Sequence, residues 1–106
     1  MKTNKSGCYL IAQERNRQEA EEGWSPAHDD AHDSSELAKA GAYYALPSNW
    51  RDALKKYLEP HGYELWPWDA EWFKPTYPNR IRELAKAGAL IAAEIDRLQR
   101  LNGNDT

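Results

Sequence analysis

The heptapeptide ELAKAGA occurs twice in this chain of 106 residues, at residues 36–42 and again at residues 83–89. Its alanines and glycine let the backbones of two helices approach closely, and each glycine costs a helix about 1 kcal/mol relative to alanine. The repeat indicates a shared packing role, an internal duplication, or simply an alanine-rich composition. We expect the two helices that carry it to cross near Gly41 and Gly88.

Each copy of the repeat lies in a longer helical pattern. Asp33 followed by Glu36 is typical of a capping box, so the first of these helices is predicted from Ser34 to Leu46, where Pro47 ends it. Asn79 is a good N-cap for a helix over residues 80–102. Along that helix, apolar positions recur at spacings of three and four, which predicts a seam suited to a two-helix contact. The seam consists of Ile81, Leu84, Gly88, Ile91, Ile95 and Leu98.

Two further helices are predicted from the rest of the chain. Residues 8–22 begin apolar and then become very polar, so the polar half is either solvated or faces a binding site. Residues 49–58 carry one apolar stripe, with Ser48 as a cap. Residues 24–33 are predicted as a loop because of Pro26 and the Asp cluster. Residues 60–78 contain four prolines and six aromatics and fit no regular period.

These patterns predict one all-α domain over residues 1–106, a compact four-helix domain in which the Trp/Pro-rich segment 60–78 covers one end. If the two ELAKAGA helices pack in parallel, the 24–33 and 60–78 segments meet at the same end. A chain this short buries a modest core, so we also expect a homo-oligomer.

Composition excludes several classes of function. The chain is 41% hydrophobic and 29% charged, which is typical of a globular protein, and its net charge of −3 argues against nonspecific nucleic-acid binding. One cysteine, Cys8, cannot form an internal disulfide. The apolar run at residues 9–12 is too short for a signal peptide or a membrane span, so we expect a cytoplasmic protein with no membrane partner.

Acidic and histidine side chains crowd around residues 28–36. His28 and His32 have the i, i+4 spacing of metal ligands on a helix, and Asp29 and Asp30 could hold Mg²⁺. The alternative is a solvated loop that leads into a helix N-terminus. Glu19 and Glu22 form an ExxE pair, as in all-helical nucleotide pyrophosphohydrolases. The matching second pair is absent, because Glu94 and Asp96 are only two residues apart.

A basic group lies around the start of the last helix. Residues 74–86 carry four basic side chains and one acid, whereas residues 14–36 carry eight acids and two basic residues. Lys74 and Arg80 beside a helix N-terminus suit a phosphate. Equally, the two oppositely charged regions could neutralise one another across the fold.

Several of these motifs together carry a resemblance. The run EEGWSPAHDDAH, the first ELAKAGAYYAL, Trp66-Pro67-Trp68 and RIRELAKAGALIAAEIDRL resemble a family of small uncharacterised phage and prophage proteins over nearly the whole chain. That family usually has glycine where this chain has Ser35. A shorter likeness, Gly23-Trp24 with Asp29, Asp30 and His32, is similar to the ryanodine-receptor-type repeat domain. It implies a small ligand-binding helical module.

The preferred hypothesis is that the protein binds, without turnover, a small nucleotide-derived ligand, which in a phage protein acting in the host cytoplasm could be a host defence signal. No cofactor is expected. The predicted binding residues are Arg15, Trp24, His28, Asp29, Asp30, His32, Tyr43, Trp66, Trp68, Lys74 and Arg80. One alternative is a Mg²⁺-dependent nucleotide hydrolase that uses Glu19, Glu22, Asp29, Asp30 and Glu36. A second alternative is a protein-interaction module that uses the Ile81–Leu98 seam.

Overall fold

A computed structural model describes residues 5–103 of the chain. It contains α1 (Gly7–Glu21), α2 (Pro26–Asp30), α3 (Glu36–Ala45), α4 (Ser48–Leu58) and α5 (Arg80–Leu101), with single 3₁₀ turns at Glu59–His61 and Ala70–Trp72. The described residues form no strand, so the predicted all-α class is confirmed. None of the helices within residues 5–103 has the length and hydropathy needed to cross a membrane.

Helix α5 is the central element, and α1, α2 and α3 all pack against it. The Arg80 guanidinium at the start of α5 reaches the carbonyls of Tyr44 and Ala45 at the end of α3. The middle of α3 meets the middle of α5, since a Cβ at Gly41 would lie 3.1 Å from the Ala87 carbonyl oxygen. Helices α3 and α5 are therefore antiparallel, and the conditional prediction of parallel packing does not hold.

The two glycines of the repeat have different neighbours. Gly41 touches α5 as predicted, but Gly88 faces α1, where a Cβ would lie 2.5 Å from Ile11 Cδ1. The two helices do cross near Gly41 and Gly88, since Gly41 lies against Ala87 and Ile91, but Gly88 itself is turned toward α1 and takes no part in the contact with α3. Each copy of ELAKAGA nevertheless contributes a close approach, because each glycine removes the side chain that would separate two helices.

The segment predicted as a loop at residues 24–33 contains the short helix α2, which corrects that prediction. Ser25 is its N-cap and accepts a hydrogen bond from the His28 backbone N–H, and Pro26 occupies the first helical position. Proline suits that position because the backbone N–H there needs no helical partner. Helix α2 carries Asp29, which is fully buried, toward α1.

Two predicted helix caps are also wrong. Helix α3 starts after Ser35, not after Asp33, and Ser35 adopts φ 64° with no side-chain cap bond. The Glu36 carboxylate instead accepts a hydrogen bond from the Ser34 backbone N–H. Helix α4 includes Ser48, and Pro47 occupies its N-cap position. The helical backbone begins at Glu36 in α3 and at Ser48 in α4. The cap-forming residues Asp33 and Ser48 therefore did not predict where either helix starts.

The buried core lies on one face of α5. Leu37, Ala40 and Tyr44 of α3 pack there against Ala87, Leu90 and Ala93. The predicted seam on α5 is different: Ile81, Leu84, Ile91, Ile95 and Leu98 are all exposed large hydrophobic residues. These residues therefore form an apolar stripe on the surface of α5, and the internal core is made by other residues of the helix.

The irregular segment 60–78 lies over the core face. Trp66, Trp68 and Phe73 pack against the core cluster, and the Lys74 backbone N–H donates to the Tyr44 hydroxyl. The segment reaches from the start of α5 to His32, whose ring centroid lies 5.1 Å from that of Trp68. The 24–33 and 60–78 segments thus meet, although α3 and α5 are antiparallel.

Candidate functional site

A cavity of about 590 Å³ lies between α1, α2, α3, α5 and the segment 60–78. Its volume is in the range of small-molecule sites, roughly 300–1,000 Å³. Its walls contain aromatic rings, two histidines, and both acidic and basic side chains. The lining residues are Arg17, Gln18, Glu22, Trp24, His28, His32, Tyr44, Trp66, Pro67, Trp68, Asp69, Trp72, Lys74, Lys86 and Leu90.

One wall of the cavity is a continuous series of aromatic rings. Trp24 and His28 are stacked with centroids 5.7 Å apart and planes within 5°. His28 meets His32 edge to face at 4.9 Å, and His32 meets Trp68 at 5.1 Å. Trp66 continues the series at 5.4 Å from Trp68. Such a wall presents ring faces and edges to a planar ligand.

The α2 helix is held in place by a buried ion pair. Arg15 Nη2 lies 2.9 Å from Asp29 Oδ2, and the Asp29 side chain is fully buried. Asp29 Oδ1 is also 3.3 Å from His28 Nδ1. His32 Nδ1 has a similar neighbour, the Glu36 carboxylate at 3.5 Å. These carboxylates fix the orientation of both imidazoles that line the cavity.

The polar half of α1 supplies the opposite wall. Arg17 hydrogen-bonds to Glu14 at 2.7 Å and to Glu22 at 3.1 Å, so its charge is already paired. Gln18 is only 2% exposed, and its Oε1 has no hydrogen-bond partner among residues 5–103. A buried acceptor without a partner costs stability, which makes Gln18 Oε1 a position where a ligand N–H would be stabilising.

Lys86 is the main cation of the cavity. It is 6% exposed, its Nζ donates to the Lys74 carbonyl at 2.8 Å, and it lies 5.8 Å from the Tyr44 ring centroid. No carboxylate of the described residues forms an ion pair with it. Burial, together with the nearby charge of Arg82, lowers the pKa of Lys86. An ammonium has three donors, so two remain for a ligand.

The Tyr44 hydroxyl is beside this ammonium. It accepts the Lys74 backbone N–H at 2.9 Å, and burial is the largest cause that raises the pKa of Tyr44. Tyr44 therefore stays protonated and can donate its own hydrogen to an anion or a carbonyl. Trp68 Nε1 is a further buried donor without a partner among the described residues.

Six of the eleven predicted site residues line the cavity. They come from two parts of the chain that the fold brings together, and they are Trp24, His28, His32, Trp66, Trp68 and Lys74. The predicted meeting of the 24–33 and 60–78 segments at one site therefore agrees with the geometry.

The other five predicted residues have structural partners elsewhere. Arg15 and Asp29 pair with each other, and Asp30 pairs with Arg100 at 2.8 Å on the surface. Tyr43 lines a smaller cavity of about 350 Å³ behind Trp66. Arg80 binds the last carbonyls of α3 and so caps that helix rather than facing the main cavity.

The five acids of the hydrolase alternative do not converge on one point. Glu19 and Asp29 share the Arg15 guanidinium, at 3.5 and 2.9 Å from its Nη2, and Glu22 lines the cavity. Asp30 faces Arg100, and Glu36 lies near His32. Within residues 5–103, no group of three or more His, Cys, Asp and Glu side chains is placed to hold a metal ion. The acids of residues 14–36 serve largely as partners for arginines and histidines.

Sequence reasoning missed the parts of the site that lie on long helices. Gln18, Tyr44, Lys86 and Leu90 all line the cavity. Lys86 belonged to the basic group noted around the start of the last helix, which was the one signal available. Gln18 belongs to the polar half of the first helix, for which a binding site was one of two interpretations.

The chain was also compared with models of protein families, with curated proteins and with solved structures, and no match was found in any of the three. The site must therefore be interpreted from its own geometry.

Proposed function

We propose that the cavity binds a small nucleotide-derived molecule, that is, a planar base joined to an anionic group. The observation that carries this proposal is the buried Lys86 ammonium, which has two free donors and no carboxylate partner among the described residues. A buried cation is costly unless it is paired, so the site favours an anion there. A phosphate oxygen is a suitable acceptor for such an ammonium.

The aromatic wall supports a planar base as the other part of the ligand. Trp24, Trp66 and Trp68 all face the cavity, and base stacking on aromatic rings contributes about 1–3 kcal/mol per base. Gln18 Oε1 would accept a hydrogen bond from a base N–H, and Trp68 Nε1 would donate one to a carbonyl or ring nitrogen. An apolar ligand would leave both buried groups without partners.

The biological role we propose is sequestration. In the phage-type family that the chain resembles, such a protein would hold a nucleotide signal of the host and keep it from its receptor. Binding without turnover predicts that the ligand is recovered chemically unchanged after incubation. Conversion of the nucleotide when Mg²⁺ is added would instead favour the hydrolase alternative.

The proposal is tested with a panel of nucleoside mono-, di- and triphosphates, cyclic mono- and dinucleotides, and ADP-ribose. Thermal unfolding and intrinsic tryptophan fluorescence report binding, because four tryptophans line the cavity. At least one nucleotide should raise the unfolding temperature and quench the fluorescence, whereas the matching uncharged nucleoside should bind more weakly. If no member of the panel changes either signal, the proposal is wrong.

A further inference from the structure

The apolar stripe of α5, which comprises Ile81, Leu84, Ile91, Ile95 and Leu98, is largely exposed among residues 5–103, although Ile91 also lies against Gly41 of α3. Each of these five side chains is between 42% and 67% exposed. A monomeric protein rarely exposes so many large aliphatic side chains in one row, and contiguous apolar patches of several hundred Å² usually mark interaction sites. Every position of this three-and-four pattern from residue 81 to residue 98 is occupied by Ile, Leu or Gly, so no charged residue lies within the stripe.

The stripe points away from the cavity side of α5, most directly at Ile81 and Ile95. Ile95 is nine residues from Lys86, and Ile81 is nine residues from Leu90. Nine residues make about two and a half helical turns, so the two side chains of each pair point in opposite directions. Lys86 and Leu90 line the cavity. The molecule measures 44 × 41 × 22 Å, and its thin dimension is about two helix diameters. One side of the α5 layer is thus covered by the segment 60–78, while the stripe on the other side is covered only in part, by Ile11 of α1 at Gly88 and by Gly41 of α3 at Ile91.

The stripe is self-complementary when it is read in reverse. Its positions, including Gly88, are spaced 3, 4, 3, 4, 3, and this order is the same from either end. An antiparallel copy of α5 would place Ile81 against Leu98 and Leu84 against Ile95. Gly88 leaves a gap in the stripe, and the Ile11 side chain of α1 occupies that gap. In the dimer, Ile11 would contact Ile91 of the second copy. Isologous dimers require this kind of symmetry, because the same surface must match itself.

The available area fits a dimer. Helix α5 has 22 residues. At 1.5 Å per residue it is about 33 Å long. Ile11 of α1 and Gly41 of α3 border the stripe, so a face that takes in α5 and the near edges of both neighbours is about two helix diameters wide. Such a face has roughly 700–800 Å². A standard specific interface buries about 800 Å² on each partner. We propose that the protein is a homodimer in which the apolar stripes of two α5 helices pack antiparallel, so that the two cavities face outward.

Light scattering with size-exclusion chromatography tests this proposal first. The wild-type chain should have twice the mass of the 12.2 kDa protomer. Ile95→Glu should reduce the mass to that of one chain, because it places a charge within the stripe. Tyr57→Glu is the matched control and should remain dimeric, because Tyr57 is 67% exposed on α4, outside the stripe. A monomeric wild-type protein, or a dimer that is unaffected by Ile95→Glu, would overturn the proposal.

Disulfide cross-linking tests the register without any charge in the stripe. In a Cys8→Ser background, Leu84→Cys combined with Ile95→Cys should give a covalent dimer on oxidation. Either cysteine alone should cross-link poorly, because residues 84 of the two copies would be about 16 Å apart, beyond the roughly 7 Å limit for a disulfide. Efficient cross-linking by each single variant would indicate parallel packing and contradict the antiparallel arrangement. A double variant that forms no covalent dimer on oxidation would also contradict the antiparallel arrangement.

Discussion

At the scale of single residues, Ser35 occupies a backbone position that favours glycine. Its φ of 64° lies in the left-handed region, and its side chain makes no cap hydrogen bond to compensate. The left-handed conformation costs a residue with a Cβ roughly 1–2 kcal/mol.

Ser35→Gly should therefore stabilise the protein. The gain is reduced because glycine gives the unfolded chain more freedom, so we expect about 0.5–1 kcal/mol. Urea unfolding followed by circular dichroism measures this change. Ser34→Gly is the control, because Ser34 is not at a positive φ and should gain nothing. Destabilisation by Ser35→Gly would show that the Ser35 side chain has a role that its contacts do not reveal.

Lys86 should make binding of the proposed ligand depend on pH. Burial lowers the pKa of its ammonium in the free protein below the ordinary 10.5, so the proton is lost at a lower pH than in the unfolded chain. The stability of the free protein should consequently rise as the pH climbs through this window, since the unfolded chain holds the extra proton. A bound anion favours the charged form and raises the pKa again.

Anion binding should thus take up a proton in the alkaline window below pH 10.5, and affinity should fall as the pH rises through the lowered pKa of Lys86. Calorimetric titration in two buffers of different ionisation enthalpy measures this proton uptake. Lys86→Met should abolish the uptake. If Lys86→Met still takes up a proton when the anion binds, another group must accept that proton, and the role given to Lys86 would be contradicted.

At the scale of elements, the contact between α1 and α5 depends on the absence of a side chain at Gly88. A Cβ there would lie 2.5 Å from Ile11 Cδ1 and 2.7 Å from Ile11 Cγ1. Alanine normally stabilises the interior of a helix by about 1 kcal/mol relative to glycine. In this protein the clash should outweigh that gain, because the Ile11 side chain must move.

Gly88→Ala should destabilise the fold by about 1–3 kcal/mol, the range of overpacking substitutions. Combining it with Ile11→Ala should recover much of the loss, because the shorter side chain makes room. A double-mutant cycle from chemical unfolding gives the coupling between the two positions. Additive effects would contradict the close contact of α1 with α5.

The helices could be predicted from sequence to the extent that their periods and caps were regular. The long α5, with Asn79 as its N-cap, could be predicted from its apolar period, although that period marks the exposed side of the helix and not its buried face. Helix α2 was missed because Pro26, together with the Asp cluster, was counted as a loop signal, whereas Pro26 is the first helical residue after the Ser25 N-cap. The partner of Gly88 could not be predicted, because identical heptapeptides carry no information about which helix each will face.

At the scale of the whole molecule, the two faces of α5 differ in chemistry. One face carries Lys86 and Leu90 toward a cavity lined by tryptophans, and the other carries the apolar stripe. The tryptophan and histidine members of the site could be predicted because they cluster in two irregular segments. The Arg15–Asp29 pair and the Arg80 cap could not be separated from ligand-binding residues, because a charge gives the same sequence signal whether its partner is the protein or a ligand.

The most direct test of the cavity's role is the dissociation constant, measured by calorimetry, of the nucleotide that stabilises the protein best. Lys86→Met should weaken binding about tenfold or more, the expected loss for a charge-assisted hydrogen bond, while the protein remains folded. Lys55→Met, at a lysine of α4 whose ammonium pairs with Glu59 at the surface, should bind like the wild type. Equal affinities for the wild type and Lys86→Met would contradict an anion site at Lys86.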